Sequence, residues 1–307
     1  MGSTNGPNIS ELSGSSLRPA ERLPLDDKCR HYEGKQQVPW DIQKYFAQRY
    51  SIFSWYDEGV HLTDDAWFGV TPEPVANAIA SSFGGVAPEK TVLIDAFAGA
   101  GGNTIAFALS ERWEHIIAVE RDTSTLACAQ HNAEVYGVDP SLITWVNGDS
   151  FEYMDALVKH PHHLHPDLQV DMATTVLFAS PPWGGPGYRS DEIFDLHTMQ
   201  PYNLDQLHAA YEPMDHVLFL PRTSDIRQIA KLAPDNRKID VIQYCMYGAS
   251  KAMSAYIPAS VKPIRNENGC TASDTSSTDD SSSDSSDSDD SDSPPSVQCS
   301  KGPLQEE

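Results

Sequence analysis

Residues 92–104 read VLIDAFAGAGGNT, an apolar run that ends in Asp95 and leads into a turn with three glycines. The run predicts a strand, Val92–Asp95, and the turn predicts a tight bend into a helix from Thr104 to Ser110. Glycines let the backbone approach a ligand closely, and an anionic group can sit at the amino terminus of the helix. The stretch therefore predicts a ligand site at the first strand–helix junction of a doubly wound sheet, without identifying the ligand.

The alternation of strands and helices continues along the chain. Buried strands that alternate with helices predict a parallel sheet with helices on both faces. The last two predicted strands have no helix between them, so we expect them to pair antiparallel at one edge. These patterns predict an α/β fold with a seven-stranded, mostly parallel sheet. The other expected strands are His115–Glu120, Ile143–Val146, Thr175–Ala179, Val217–Leu220, Ile239–Tyr244 and Ala252–Ile257.

Composition divides the chain into four parts. Residues 1–37 are rich in Ser, Gly and Pro without a hydrophobic period, and residues 263–307 contain a Ser/Asp tract. Neither part can bury a core, so we predict that both are disordered, the second as an acidic tail. Residues 38–70 are expected to form a helical extension and residues 71–262 the main domain. Expected helices include 41–49 with Asp41 as cap, 72–83 with Thr71 as cap, and one that follows the cap Asp122.

The net charge of −23 is unevenly distributed. Residues 266–307 carry −10, residues 1–39 sum to zero, and the remainder carries −13. Such a domain is a poor non-specific binder of nucleic acid, because that binding depends on neutralising many phosphates. Any RNA contact is therefore expected in a local pocket. The five cysteines form no CxxC pair and no apolar run is long enough to span a bilayer, so we expect a soluble protein of cytosol or nucleus without membrane contact.

Two further acidic residues follow predicted strands. Glu120 ends the second strand, and Asp149 follows the third. A carboxylate in the first of these positions can accept both hydroxyls of a ribose, and one in the second can accept from an adenine amino group. Together with Asp95, and with no basic residue for a pyrophosphate, they favour S-adenosylmethionine over NAD as the cofactor. The alternative is that the three acids only cap the elements that follow them.

The segment Ser180-Pro181-Pro182-Trp183 follows the fourth predicted strand, at the crevice where α/β sheets bind ligands. A polar residue, two prolines and an aromatic form a rigid turn in methyltransferases that modify planar amino groups. The polar residue accepts hydrogen bonds from the amine, and the ring stacks on the base. Because an exocyclic amine is a poor nucleophile, we expect positioning for in-line attack to dominate catalysis. The alternative is a loop without a catalytic role.

A histidine-rich stretch, LVKHPHHLHPDLQVD, interrupts the pattern at residues 157–171, with four histidines between positions 160 and 165. Such a density is compatible with metal binding. An exposed insertion is favoured instead, because the stretch contains two prolines and no Cys or acidic residue at the spacing of a further metal ligand. We therefore expect no metal cofactor.

Seven motifs between about Lys44 and Ile257 identify a family when they are taken together. They are KYFAQRYSIFSWYDEG, WFGVTPE, DAFAGAGGNT, NAEVYG, SPPWGGPGY, FDLHTM and FLPR. Because of these motifs the sequence resembles the trimethylguanosine synthases, which hypermethylate the caps of small nuclear and nucleolar RNAs. WFGVTPE and SPPWGGP are typical of that family, whereas the glycine turn belongs to class I methyltransferases in general. The chain departs from the family at Gly69, where Ser is usual, and at Gly187, where Asp is usual.

The resemblance implies roles for individual residues. Ser180 would border the reacting amine together with Pro181, and Trp183 would stack on the cationic 7-methylguanine ring with cation–π attraction. A triphosphate bridge needs two or three cations. The implied contacts to the cap phosphates are Lys44, Tyr188, Arg222 and Lys251. The implied cofactor residues are Asp95, Asn103, Glu120 and Asp149, with Phe53, Thr71 and Asn132 nearby.

The resemblance also implies an activity and its partners. The chain would be a Rossmann-like class I methyltransferase that methylates N2 of the 7-methylguanosine cap twice, giving the 2,2,7-trimethylguanosine cap. Its partners would be capped small nuclear and nucleolar RNAs, with small ribonucleoprotein core proteins as a further candidate. We expect a monomer located in the nucleus, in particular the nucleolus.

Other functions stay open on the sequence alone. The same polar-Pro-Pro-aromatic turn occurs in methyltransferases that act on adenine N6 or on a glutamine amide. A protein that binds capped RNA without turnover would need only the cap residues, although Asp95, Glu120 and Ser180 argue against it. An acidic chaperone of basic proteins would rest on the tail alone.

Overall fold

The computed structural model describes residues 17–185, 192–246 and 248–260. The disorder predicted for residues 1–16 and for the acidic tail lies outside these ranges. The helices are α1 Gln43–Phe46, α2 Arg49–Ile52, α3 Ala66–Gly69, α4 Glu73–Val86, α5 Gly102–Leu109, α6 Thr123–Val135, α7 Ser150–Lys159, α8 Leu204–Tyr211 and α9 Ile226–Ala230. The strands are β1 Val92–Asp95, β2 His115–Glu120, β3 Ile143–Asn147, β4 Thr175–Ala179, β5 His216–Pro221, β6 Asp240–Met246 and β7 Ala249–Ile257.

These strands form one sheet in the order β3-β2-β1-β4-β5-β7-β6. β1 pairs in parallel with β2 and with β4, so that Ile94 lies opposite both Ile117 and Leu177. β7 runs antiparallel between β5 and β6. The predicted α/β fold, with its antiparallel pair at one edge, is confirmed. Since the winding of the chain reverses between β1 and β4, the carboxyl ends of these strands form a crevice of the kind that binds ligands.

Helices cover both faces of the sheet and bury two hydrophobic clusters. Leu93 packs in one cluster and its neighbour Ile94 in the other, because successive side chains of a strand point to opposite faces. The rings of Phe107 on α5 and Phe178 on β4 meet edge to face, with centroids 5.0 Å apart. The core therefore fixes α5, and with it the glycine turn, against the centre of the sheet.

The segment before the helical extension packs against the domain, in contrast to the disorder expected for residues 1–37. Pro19 forms a bridge with Val146 of the edge strand β3. Further along the segment, Cys29 is buried. An edge strand offers unpaired backbone groups, so a segment with few apolar residues can become ordered by pairing with it. The described residues before position 37 therefore pack against the domain, as the residues after it do.

The helical extension is more interrupted than predicted. The helix expected over 41–49 is two one-turn helices, α1 and α2, and Asp41 caps neither of them. The helix expected from Pro72 begins one residue later as α4, without a side-chain cap from Thr71. Asp122 does cap α6 as predicted, since its side chain accepts a hydrogen bond from the first turn.

The histidine-rich stretch lies between α7 and β4. It contains two single-turn 3-10 helices, Pro161–His163 and Pro166–Leu168. In the described part of the chain, no group of three or more His, Cys, Asp or Glu side chains is placed to hold a metal ion. The same residues include no helix that is both long and apolar enough to cross a membrane.

Candidate active site

A cavity of about 1000 Å³ lies where the five strands β1 to β5 end. Its walls come from the loops that follow these strands, from the helical extension and from the β6–β7 hairpin. It thus occupies the crevice that the sheet topology predicts for a ligand. The predicted site residues that line it are Lys44, Thr71, Asn103, Glu120, Asp149, Ser180, Pro181, Trp183, Arg222 and Lys251.

The glycine turn forms part of the wall of this cavity. Gly101 has a φ of 93°, in the left-handed region, and is followed directly by α5. A Cβ atom on Gly102 would lie 3.3 Å from Val70 Cγ2 and 3.5 Å from the carbonyl oxygen of Thr71. Gly101 therefore permits the bend, and Gly102 permits the close approach of the extension to the turn.

Asp95 lies beneath the turn and does not line the cavity. Its side chain is completely buried, and it accepts hydrogen bonds from Thr104 Oγ1 at 2.6 Å and from the Phe97 N–H at 3.4 Å. Burial raises its pKa to about 7 despite these two bonds, which favour the charged form. In this geometry Asp95 holds the turn against α5 and places a titratable group behind it.

Glu120 lines the cavity at the end of β2. Its Oε2 atom accepts from the Gly99 N–H at 3.0 Å, and its Oε1 atom accepts from the Asp122 N–H at 2.9 Å. A carboxylate has about four acceptor sites, so each oxygen keeps capacity for one ligand hydroxyl. Burial raises the pKa of the group. The arrangement suits the two neighbouring hydroxyls of a ribose.

Asp149 caps α7 by accepting from the Phe151 N–H at 2.8 Å, and it lines the cavity beside two aromatic rings. The rings are Phe97 and Tyr202, whose centroids lie 5.9 Å apart. The pKa of Tyr202 is raised, first by burial and then by the negative charge of Asp149. Arg121 donates to the Tyr202 hydroxyl at 3.0 Å. An adenine can stack on an aromatic ring while its amino group donates a hydrogen bond to a neighbouring carboxylate, so this arrangement suits an adenine.

Neither Phe97 nor Tyr202 was singled out from the sequence. Phe97 lies inside the glycine stretch, so its place in that motif could have identified it. Tyr202 has no local signal, since it reaches the cavity from the segment before α8. Its placement depends on packing alone.

Asn103 brings an unsatisfied polar atom to the cavity wall. Its Nδ2 donates to Thr71 Oγ1 at 3.1 Å, which links α5 to the segment before α4. Its Oδ1 is buried and has no hydrogen-bond partner among the described residues. Such an acceptor costs about 1–3 kcal/mol, and a donor on a ligand would remove that cost. With the spare acceptors of Glu120, the site fits S-adenosylmethionine, which carries an ammonium group and ribose hydroxyls.

Besides Asp95, two further predicted cofactor residues lie outside the wall of this cavity. Phe53 lines an adjoining cavity of about 300 Å³ between α4 and α5, which Gly102 also lines. Asn132 accepts from the His61 N–H at 2.8 Å and donates to the carbonyl oxygens of His61 and Ala100 at 2.8 and 2.9 Å. Asn132 therefore ties the extension and the glycine turn to α6.

The turn after β4 presents Ser180 and Trp183 to the cavity. The Trp183 Nε1–H donates to the carbonyl oxygen of Phe219 at 3.1 Å, and the two rings lie 5.5 Å apart with their planes inclined at 46°. Pro181 in the same turn is buried. The indole is therefore held in a fixed orientation from β5 while part of its surface stays exposed. A fixed aromatic ring beside a hydroxyl suits a planar base.

Basic side chains collect in the cavity although the domain is acidic. Lys44, Arg222 and Lys251 line it, as do Lys28 and Arg121, which the sequence did not indicate. Within the described ranges none of the five forms an ion pair, so their charges are available to an anion. Tyr188, the other residue predicted to contact phosphate, lies outside the described residues.

Similar proteins are found by sequence and by structure. Residues 90–260 match a family model described as RNA cap guanine-N2 methyltransferase. The trimethylguanosine synthase of Schizosaccharomyces pombe is 36% identical over 222 residues, which cover 71% of this chain and 87% of that protein. The trimethylguanosine synthase of Saccharomyces cerevisiae is 28% identical over 272 residues, which cover 83% and 82%. A methyltransferase structure from Porphyromonas gingivalis W83 has a TM-score of 0.49 and 14% identity, covering 73% of this chain and 52% of that one.

Proposed function

Because the chain belongs to the RNA cap guanine-N2 methyltransferases, we propose that it methylates N2 of the 7-methylguanosine cap of small nuclear and nucleolar RNAs. One observation carries this proposal. Trp183 and the cations Lys44, Arg222 and Lys251 line the same cavity as the strand-end acid Glu120. A cationic base, a polyphosphate and a methyl donor thus have complementary groups in one cavity.

Three side chains are suited to hold the cofactor. Glu120 has acceptors for the ribose hydroxyls, and Asp149 has one for the adenine amino group beside the Phe97 ring. Asn103 offers its unsatisfied Oδ1 to the ammonium group. When bound, S-adenosylmethionine supplies the methyl group. These protein groups fix its orientation and therefore the direction from which an amine must approach.

The turn after β4 is suited to hold the base. Trp183 stacks on the 7-methylguanine ring, and cation–π attraction to a desolvated cation contributes about 2 kcal/mol. Ser180 is placed on the same turn to accept a hydrogen bond from the N2 amine. The N2 lone pair is delocalised into the ring, so its orientation rather than strong base catalysis determines the rate. Lys44, Arg222 and Lys251 neutralise the triphosphate.

Two successive transfers give the 2,2,7-trimethylguanosine cap. The product of the first transfer keeps one N2–H, which the same acceptor can orient for the second. We place this activity in the nucleus, with the nucleolus as the expected site and small ribonucleoprotein core proteins as candidate partners. The two relatives named trimethylguanosine synthase support the trimethylated product of this proposal.

The test is mass analysis of 7-methyl-GTP after incubation with the protein and S-adenosylmethionine. We expect products with one and then two added methyl groups, and much less product from GTP at the same concentration. Methylation of an adenine oligonucleotide or a glutamine peptide in place of the cap nucleotide would contradict the proposal in favour of another amino-methyltransferase. Cap binding without any product would indicate a binding protein.

A further inference from the structure

Phe68 is an exposed aromatic side chain that lines the cavity. Its relative exposure is 42%. Eight large hydrophobic side chains are exposed among the described residues, and Phe68 is the one of these that belongs to the cavity wall. The exposed part of the ring gains nothing from burial in the free protein, and its position in a binding cavity points to a ligand that covers it.

The surroundings of Phe68 hold the ring in place. Trp67, its neighbour in α3, is completely buried and anchors that helix. Tyr45 of α1 meets Phe68 edge to face, with centroids 5.4 Å apart and planes inclined at 76°. The Nζ atom of Lys44 lies 4.8 Å from the centroid of the Tyr45 ring. A fixed aromatic surface therefore adjoins a cation that has no acidic partner in the described part of the chain.

An aromatic face beside a cation is the combination that proteins use for single-stranded nucleic acid. Bases stack on such rings with little sequence preference, while cations contact the adjacent phosphates. The Phe68 ring belongs to the helical extension, whereas Trp183 belongs to the turn after β4. A triphosphate that runs from the base on Trp183 to Lys44 would bring the nucleoside at its other end to the helices that carry Phe68.

We propose that Phe68, supported by Tyr45, is a stacking platform for the base of the first transcribed nucleotide of the capped RNA. The inference rests on the proposed function, since it extends the same ligand beyond its triphosphate. It makes the extension a reader of RNA attached to the cap. The platform recognises a base face, so adenine and guanine serve equally.

The test compares two ligands that differ only in this base. One is the dinucleotide 7-methyl-GpppA, and the other is its abasic counterpart, in which hydrogen replaces the adenine. The wild-type protein is expected to bind the dinucleotide at least about fivefold more tightly, the factor that corresponds to weak base–aromatic stacking. In Phe68→Ala this ratio is expected to fall close to one, and in Phe68→Trp it is expected to persist.

A matched control is Trp40→Ala, which removes an aromatic side chain that is 87% exposed and lies outside the cavity. This variant should keep the wild-type ratio. Phe68→Leu keeps an apolar side chain in place and is also expected to lose the preference, which separates stacking from loss of fold. An unaltered ratio in both Phe68→Ala and Phe68→Leu, or equal binding of the two ligands by the wild type, would overturn the platform. Absence of methyl transfer to 7-methyl-GTP would instead remove the proposed function.

Discussion

Glu120 and Gly99 are joined across the glycine turn, because Glu120 Oε2 accepts a hydrogen bond from the Gly99 N–H at 3.0 Å. Gly99 has a φ of 55°, in the left-handed region that favours glycine. The hydrogen bond to Glu120 helps to hold this backbone conformation. The carboxylate that we propose accepts the ribose hydroxyls also holds the shape of this turn. In that proposal, the geometry of the turn and the recognition of the ligand depend on one side chain.

Replacing Glu120 tests this double role. Glu120→Ala is expected to weaken S-adenosylmethionine binding by about 1.5–3 kcal/mol, the usual loss for hydrogen bonds to a charged group. Glu120→Gln is expected to lose less, since its amide oxygen can still accept one bond. Binding is measured by calorimetry. Asp139→Ala, which removes an acid outside the cavity, serves as the control. An unchanged affinity in folded Glu120→Ala would exclude Glu120 from the cofactor site.

The buried Asp95 predicts a pH dependence of stability. Its pKa in the folded protein, about 7, lies above the ordinary value of 3.8. Between these values the unfolded chain releases a proton that the folded chain keeps, so the free energy of unfolding falls as the pH rises from about 4 to 7. The side chain of Asp95→Asn does not titrate in this range. As the pH rises from about 4 to 7, the unfolding free energy of the variant should therefore increase relative to that of the wild type by up to about 1.4 kcal/mol per pH unit.

Urea unfolding of both proteins at pH 5, 6, 7 and 8 measures the effect of Asp95. Other titrating groups cancel in the difference between the two unfolding free energies. That difference should grow up to about pH 7 and be level above it. A difference that does not vary with pH would show that Asp95 is ionised in the folded protein throughout.

The amino-terminal segment predicts a stability effect at the edge of the sheet. A chain that begins at residue 31 lacks the buried Cys29 and the pairing of Ala20 with β3, where the Ala20 N–H donates to Trp145 at 2.7 Å. Its unfolding free energy is expected to fall by about 1.5–3 kcal/mol, the contribution of one buried apolar side chain. Thermal unfolding measures the change. A chain that begins at Leu17 is the control, and equal midpoints for both would contradict the packing role.

The strands were predictable because they are local patterns. His115–Glu120 and Thr175–Ala179 were predicted residue for residue, since buried parallel strands are continuous apolar runs that end at polar turns. Composition did not predict that residues 17–37 are ordered. It depends on pairing with β3, more than a hundred residues away along the chain.

The same distinction applies to the site. Glu120 and Trp183 line the cavity because a residue that follows a parallel strand lies at the carboxyl edge of the sheet, wherever the rest of the chain goes. Tyr202 reaches the cavity by packing on Phe151, with ring centroids 4.6 Å apart. The NAEVYG motif does not show what Asn132 contacts, and only its bonds to His61 and Ala100 reveal which parts of the chain it joins. Such contacts between distant residues leave no pattern in a single sequence.

The fixed indole of Trp183 predicts discrimination between methylated and unmethylated caps. Both 7-methyl-GTP and GTP can stack on this ring, but only the first has a cationic base. A cation–π contribution of about 2 kcal/mol in a desolvated site corresponds to roughly thirtyfold in affinity, so the wild type should prefer 7-methyl-GTP by at least that factor. Trp183→Ala should lose most of its cap affinity, and Trp183→Leu should keep some packing with little preference. Both variants should bind S-adenosylmethionine nearly as the wild type does, because Glu120 and Asp149 are untouched. The measurement is a titration of both nucleotides against the three proteins. Equal binding of GTP and 7-methyl-GTP by the wild type would exclude the stacking role of Trp183. That result would favour a methyltransferase that acts on adenine or a glutamine amide.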